Sequence, residues 1–226
     1  MKKYLNHNQY RISLITCFSA FILGYLNAHG AIFDIGVMVS PQTGNLVNMA
    51  ISMGSGDVPR IINTTLIFSA FILACFLSAA LMGKIESKRN EFLITWSAFF
   101  FPILLNWIFI DFLHPRVSMF GFSFISGVAL CFFRQIGELD VNNSIVTGNM
   151  RFIGNSLFNL LFRKDKSKKI VFQTFVLSTF LFFLGAFVVT LLSSIGRNLA
   201  MLVIVVVTVI PYFIGFKIED EMDLNR

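Results

Sequence analysis

Two short stretches of this chain place similar residue types in the same order. Gln42-Thr43-Gly44-Asn45 is echoed by Val146-Thr147-Gly148-Asn149, with the Thr-Gly-Asn triplets 104 positions apart. Each residue type has a use where a helix begins. A threonine hydroxyl accepts from an unpaired backbone amide, so Thr43 and Thr147 are expected as N-caps. Gly44 and Gly148 leave the backbone open to close approach by a ligand or a second helix. Asn45 and Asn149 offer both a donor and an acceptor. A helix start also presents free amides and a partial positive charge, which favour an anion or a carbonyl oxygen. With Asn27, Gln42 and Asn48, these six residues form a candidate substrate-binding set.

Helical spacing puts Asn45, Asn48 and Ser52 on one face and Arg151, Asn155 and Asn159 on another. Such polar stripes either bond neighbouring helices or line a substrate path. Ionisable groups lie near both triplets: His29 and Asp34 near the first, Glu138 and Asp140 near the second. Any of them held at membrane depth is a candidate for proton coupling, because a carboxyl in a low dielectric can cycle its proton. At the water interface the same groups are only solvated charges.

The elements that must position these residues are membrane helices. Hydrophobic side chains make up 56% of the 226 residues and charged ones 13%, and Phe alone occurs 28 times. The mean hydropathy is +0.76. A soluble domain of this composition would be covered in exposed apolar patches, so a lipid bilayer is the expected partner. A crossing needs about 20 apolar residues. Six stretches free of Asp, Glu, Lys and Arg meet that need, at 12–33, 61–83, 92–110, 117–133, 170–196 and 198–216. Residues 35–56 and 144–162 are also apolar but are interrupted by the triplets. They are read as short re-entrant or broken helices, although counting both as spans would give eight crossings.

Charge supports six. Cytoplasmic loops carry the Lys and Arg excess. With a cytoplasmic N-terminus, six spans leave only Arg60, Arg116 and Arg197 outside, among 18 basic residues. Both termini are then cytoplasmic, in a multi-pass protein of the bacterial plasma (inner) membrane. The net charge of +6 is thus a matter of topology, not of nucleic-acid binding. The first apolar run is too long for a usual signal-peptide core and is expected to be retained.

Each triplet follows a glycine in an apolar helix, Gly24 or Gly127, by about 20 residues, and precedes two long spans. The chain is therefore read as one membrane domain over 1–226, with repeat halves at about 12–110 and 117–216. Three spans per half is an odd number, so the second half enters the membrane in the opposite sense. The expected fold class is all-α and polytopic, with six transmembrane helices arranged as a 3+3 inverted repeat.

On Gly24-Tyr25-Leu26-Asn27-Ala28, Gln42-Thr43-Gly44-Asn45 and Val146-Thr147-Gly148-Asn149, the sequence resembles the YoaK-like bacterial membrane proteins, a domain of unknown function. Many of those proteins carry an Asp where this chain has Asn27, and a Gln-Asn pair where it reads Leu130-Cys131-Phe132-Phe133. The resemblance implies a six-span inner-membrane protein and no particular activity.

Inverted repeats with broken helices are the architecture of many secondary transporters. The expected function is accordingly a small-molecule transporter or permease, with its site between the two Thr-Gly-Asn helix starts. A membrane scaffold or lipid-binding accessory protein is the alternative. An enzyme is not expected: His7, His29 and His114 are scattered, and there is no His-Glu-x-x-His pattern, nucleophile elbow or phosphate-binding loop. Cys17, Cys75 and Cys131 lie singly in apolar runs and suggest neither disulfides nor a metal site. No metal or cofactor is expected, and a homo-oligomer is compatible with the sequence.

Overall fold

The computed structural model describes residues 7–143 and 146–218. Over those residues the chain forms eight helices and one two-stranded turn. Half one contains α1 (His7–Phe33), α2 (Gln42–Ser55), α3 (Val58–Leu81) and α4 (Lys88–Ile108). Half two contains α5 (Pro115–Phe132), the strands β1 (Gln135–Ile136) and β2 (Leu139–Asp140), α6 (Val146–Leu161), α7 (Lys168–Ser193) and α8 (Arg197–Gly215). Six helices, α1, α3, α4, α5, α7 and α8, are long and apolar enough to cross a bilayer. The 14 residues of α2 and 16 of α6 extend only about 21 and 24 Å at the α-helical rise. They fall short of a hydrocarbon core about 30 Å thick. The all-α, six-span expectation is met, and the eight-span alternative is not.

Local chemistry marks the starts of α3, α4 and α5. Asp57 caps α3 by accepting from the Arg60 amide, and Ser87 caps α4 by accepting from the Asn90 amide. Pro59 stands in the first turn of α3 and Pro115 in that of α5, where a missing amide costs nothing. Gly56 ends α2 with φ of 72° and donates its amide to the Ser52 carbonyl. That left-handed turn folds α2 back along α3, which a residue with a Cβ would adopt only under strain.

The halves interlock. α1 packs along α7, and α5 packs along α3. Each half's first helix therefore lies against the other half's second span. α1 also touches α8 while α5 touches α4, α2 lies on α3 while α6 lies on α7, and α4 meets α8. This pattern maps onto itself when the halves are exchanged. Glycines set the approach. A Cβ on Gly24 would strike the Phe182 carbonyl, and one on Gly185 would strike the Phe21 carbonyl. A Cβ on Gly127 would lie 2.7 Å from the Ala74 side chain and 2.8 Å from the Phe71 carbonyl. Without a hydrophobic drive between helices in lipid, such backbone contact is a main source of association.

Side-chain bonds pin the irregular connections inside this frame. The Asn27 amide donates to the Leu23 carbonyl and the Ser40 hydroxyl, both at 2.7 Å, and its oxygen accepts from the Ser40 amide at 3.0 Å. From α5, Ser126 reaches the Ser40 hydroxyl at 2.8 Å, and Ser123 reaches the carbonyls of Ile67 at 2.7 Å and Val39 at 3.3 Å. In half two the tie is made by Asn143. Its amide nitrogen is within 2.9 Å of the carbonyls of Thr16 and Phe133 and of the Ser19 hydroxyl, and its oxygen accepts from Ser178. Across the bundle, Tyr25 donates to the Ala200 carbonyl and the Trp96 indole donates to that of Thr208.

Two outcomes follow for purified protein in detergent. Gly24→Val is expected to lower the unfolding temperature strongly, at a cost of about 1–3 kcal/mol or more. Gly54→Ala, whose new methyl meets nothing within 4 Å, should be neutral or slightly stabilising. Equal melting of the two variants would contradict backbone contact between α1 and α7. Asn143→Ala strands buried partners on α1 and α7 and should cost about 1–3 kcal/mol, measured as a fall in the melting temperature.

Candidate functional site

Both triplets occupy the same register in their helices. Gln42 and Val146 are first, followed by Thr43 and Thr147, then Gly44 and Gly148, then Asn45 and Asn149. The threonines are therefore not N-caps. Pro41 holds the cap position of α2, and no side chain caps that helix. For α6 the corresponding position falls at 145, outside the described residues. An N-cap needs extended backbone ahead of the first turn, and here the helix has already begun. The first helical bond of α2 runs from the Asn45 amide to the Pro41 carbonyl at 3.0 Å, so helix geometry gives the amides of Thr43 and Gly44 no partner.

The asparagines do matching work. Asn45 donates to the Met38 carbonyl, and Asn149 to the Asn142 carbonyl, each seven residues back and at 3.0 Å. Asn149 also accepts from the Asn142 amide. Each asparagine folds back onto the connection before its helix and is buried there. Gln42 is likewise turned inward, donating to the Val39 carbonyl at 2.9 Å. The glycines differ: a methyl on Gly44 would meet nothing, whereas one on Gly148 would crowd the Asn142 amide at 2.7 Å.

The polar stripes are mostly occupied by local bonds. Ser52 donates to the Asn48 carbonyl, and the Asn48 side chain accepts from Arg60 at 3.1 Å. Asn159 donates to Asn155, and the Arg151 guanidinium lies over the Phe152 ring.

The two helix starts come together around one cavity of about 440 Å³. Its polar contributors are Asn27 and Ser40 from half one, and Thr147 and Thr190 from half two. Ala28, Ala31 and Ile32 of α1 and Phe182 and Ala186 of α7 supply an apolar wall, with Pro41 and Val146 at the helix starts themselves. No charged residue lines it. Of the nine residues expected in the site, the structure brings Asn27 and Thr147 to this cavity. The others serve the loops, as Asn45, Asn149 and Gln42 do, or stand elsewhere on the helix surfaces, as Thr43, Gly44 and Asn48 do. Phe182, Ala186 and Thr190 carry no polar periodicity that marks them in the sequence.

The four ionisable candidates divide into two pairs. Glu138 and Asp140 lie on the exposed β1–β2 turn, where Asp140 pairs with Arg134 at 2.9 Å. There they border clefts of about 360 and 370 Å³ at the end of the bundle that holds the start of α1 and the end of α8. His29 and Asp34 are buried at the opposite end. The Asp34 side chain has no exposure, and it accepts from Arg197 at 2.6 Å. His29 Nδ1 stands 3.4 Å from the other carboxylate oxygen. Arg197, at the start of α8, lies between two apolar runs and reads in the sequence as an ordinary loop charge.

No curated protein and no solved structure matches the chain. A family model does, the one described as a protein of unknown function (DUF1275), over residues 15–214. That span takes in both triplets, both glycine contacts and all six membrane-length helices apart from the first two turns of α1 and the last residue of α8, in keeping with the YoaK-like resemblance. The chain belongs to the DUF1275 family of multi-pass membrane proteins.

Proposed function

We propose that the protein is a small-molecule secondary transporter of the bacterial inner membrane, with its substrate site in the cavity between the starts of α2 and α6. The cavity itself carries this reading. It is the place where the starts of α2 and α6, one from each half, face a common space walled by the closely packed α1 and α7. Ligand cavities are typically apolar with a few placed polar groups, and this one has four polar side chains on an apolar wall. Discontinuous helices meeting at the interface of two inverted halves are a recurring transporter site. Three spans per half, with α2 and α6 too short to cross, support reading the halves as opposite in sense.

Charge gives the orientation. Lys84, Lys88, Arg134 and the Arg163–Lys169 connection belong to the end where Arg11 meets the Lys217 carbonyl. Arg60, Arg116 and Arg197 belong to the other. The first end is cytoplasmic by the positive-inside bias, with both termini there. Since no charge lines the cavity, the substrate is a small molecule with a substantial apolar body and hydrogen-bonding groups for Asn27, Ser40, Thr147 and Thr190.

The test is a metabolite screen for thermal stabilisation of the purified protein. A ligand that binds only the folded state adds about 2.7 kcal/mol at 100 times its Kd. The expected hit loses its effect in Ala186→Phe, which fills the cavity, and weakens in Thr147→Val, while both variants melt close to wild type. A hit whose stabilisation survives Ala186→Phe would place the site elsewhere.

A further inference from the structure

Deep at the end of the bundle opposite the chain's N-terminus, three ionisable side chains from both halves meet. Asp34 follows the last turn of α1, with its amide bonded to the Gly30 carbonyl at 3.3 Å. His29 lies one turn earlier. Arg197 opens α8, placed by Gly196, whose φ of 142° only glycine adopts readily. One carboxylate oxygen of Asp34 takes the Arg197 guanidinium. The second oxygen has no hydrogen-bond partner, and neither nitrogen of His29 has one, nor does Nε of Arg197. The His29 ring is held between Phe33, at 4.9 Å between ring centres, and the Phe122 edge at 5.7 Å.

Four unpaired polar atoms, on two buried side chains and one partly buried one, are far more than packing requires. An unsatisfied buried polar group costs about 1–3 kcal/mol, and a charged one more. A purely structural ion pair would be expected to use its acceptors fully, since breaking even is difficult for a buried pair. What the arrangement does provide is a vacant acceptor on Asp34 facing a vacant nitrogen on His29. Arg197, the third member, is 27% exposed at its side chain while the Asp34 side chain has no exposure. The guanidinium therefore has a route to water that the carboxylate lacks.

We propose that Asp34 and His29 form a proton-binding site, with Arg197 as the exchangeable counter-cation, and that this site couples proton movement to transport through the adjacent cavity. The coupling rests on the transporter reading; the proton site itself does not. With no proton added, the Asp34 carboxylate is met by the Arg197 guanidinium. A proton taken from water at the Arg197 side settles between the His29 nitrogen and the free Asp34 oxygen, 3.4 Å apart. The carboxylate charge is then met locally, and Arg197 is released toward solvent. Loss of the proton returns Arg197 to Asp34. Because the Arg197–Asp34 contact ties α8 to the end of α1, releasing it frees the turn that carries Ala31 and Ile32. Those two residues line the cavity.

Three other basic or titratable groups near this end have partners elsewhere, and Asp111 is exposed beyond the end of α4. Arg116 of α5 donates to Asn63 at 2.8 Å, His114 caps α5, and Arg60 of α3 is held by Asn48. From α5 the cluster meets Phe122, and Met119 sits against Gly30. Asp34 and Arg197 are thus the charged groups facing His29.

Infrared difference spectra of the full-length protein in detergent, recorded between about pH 5 and 8 where imidazole changes charge, test the site without any substrate. The expected wild-type spectrum contains imidazole and carboxyl bands that change together. His29→Gln should remove the imidazole component and Asp34→Asn the carboxyl component. Arg197→Gln, which removes the competing cation, should move the transition to higher pH, and Arg197→Lys should restore it toward wild type. Gel filtration checks folding, and if Asp34→Asn fails to fold, His29→Gln and the Arg197 pair decide. Absence in wild type of imidazole and carboxyl bands that change together, or their joint persistence in His29→Gln, overturns the proposal. Ligand stabilisation that persists without such bands overturns the proton site and leaves the cavity reading intact. Titration without any cavity ligand supports the proton site and removes transport.

Discussion

Irregular backbone can lie inside a membrane protein only where the protein itself satisfies its amides and carbonyls, and this constraint organises the structure around residues 38–41 and 141–143. Side chains supply much of the hydrogen bonding of both segments. Asn27 holds Ser40 by both amide and hydroxyl, Ser123 and Ser126 approach from α5, and Asn45 closes the Met38 carbonyl from behind. Asn143 and Asn149 meet the same need in half two. An unpaired group in hydrocarbon costs several kcal/mol, so every one of these side chains answers a demand set by breaking the helices in mid-chain. The broken helices in turn create the space between their starts. Cavity and clamps are consequences of one architectural choice.

The close approach of α1 to α7 and of α5 to α3 makes those clamps reach. Asn143 must touch Thr16 and Ser19 on α1 and Ser178 on α7 together. It can do so only because Gly24 and Gly185 let the two backbones into direct contact a little further along. The same logic links Ser123 to both Val39 and Ile67, with Gly127 against α3. Each half thereby holds the other's broken connection. Neither half offers its partner connection the same grip alone.

The sequence made the six spans legible because a membrane helix is written in composition, and composition survives without any knowledge of tertiary contact. The likeness of the two triplets was legible too, and they occupy the same register in α2 and α6, where their asparagines act alike. What the triplet does was misread for the threonines. Thr43 has a good capping chemistry, but Pro41 takes the cap position, and a start one residue later in register cannot be distinguished from composition. Asn45 and Asn149 looked like ligand groups because an amide in an apolar setting must be bonded to something. Only coordinates reveal that the partner is a carbonyl seven residues back. Arg197 was missed as a member of the buried cluster for a similar reason. It is 163 positions from Asp34, and nothing in its neighbourhood distinguishes it from a charge that merely ends an apolar run.

Departures from the repeat are therefore more informative about function than the repeat itself. The triplets are alike in both halves, and their asparagines act alike, as loop anchors. Asn27 has Leu130 at the equivalent place, and Asn143 has Val39. Both of these asymmetric amides are buried and tie a broken connection to α1. The ends of α1 and α5 differ in the same way. After α1 comes Asp34, sealed against Arg197 and His29, while after α5 comes Arg134, which pairs with Asp140 in the open. A duplicated frame kept only for packing would have no reason to bury charge at one end and expose it at the other, since burial without full hydrogen bonding is a cost. The asymmetry is concentrated on α1, whose residues from Gly24 to Ile32 line the cavity and whose last turns carry His29 and lead to Asp34. A single helix thus touches the cavity, both broken connections and the buried ionisable cluster. Thr16, which holds the second connection, and His29 of the cluster lie about four turns apart on it.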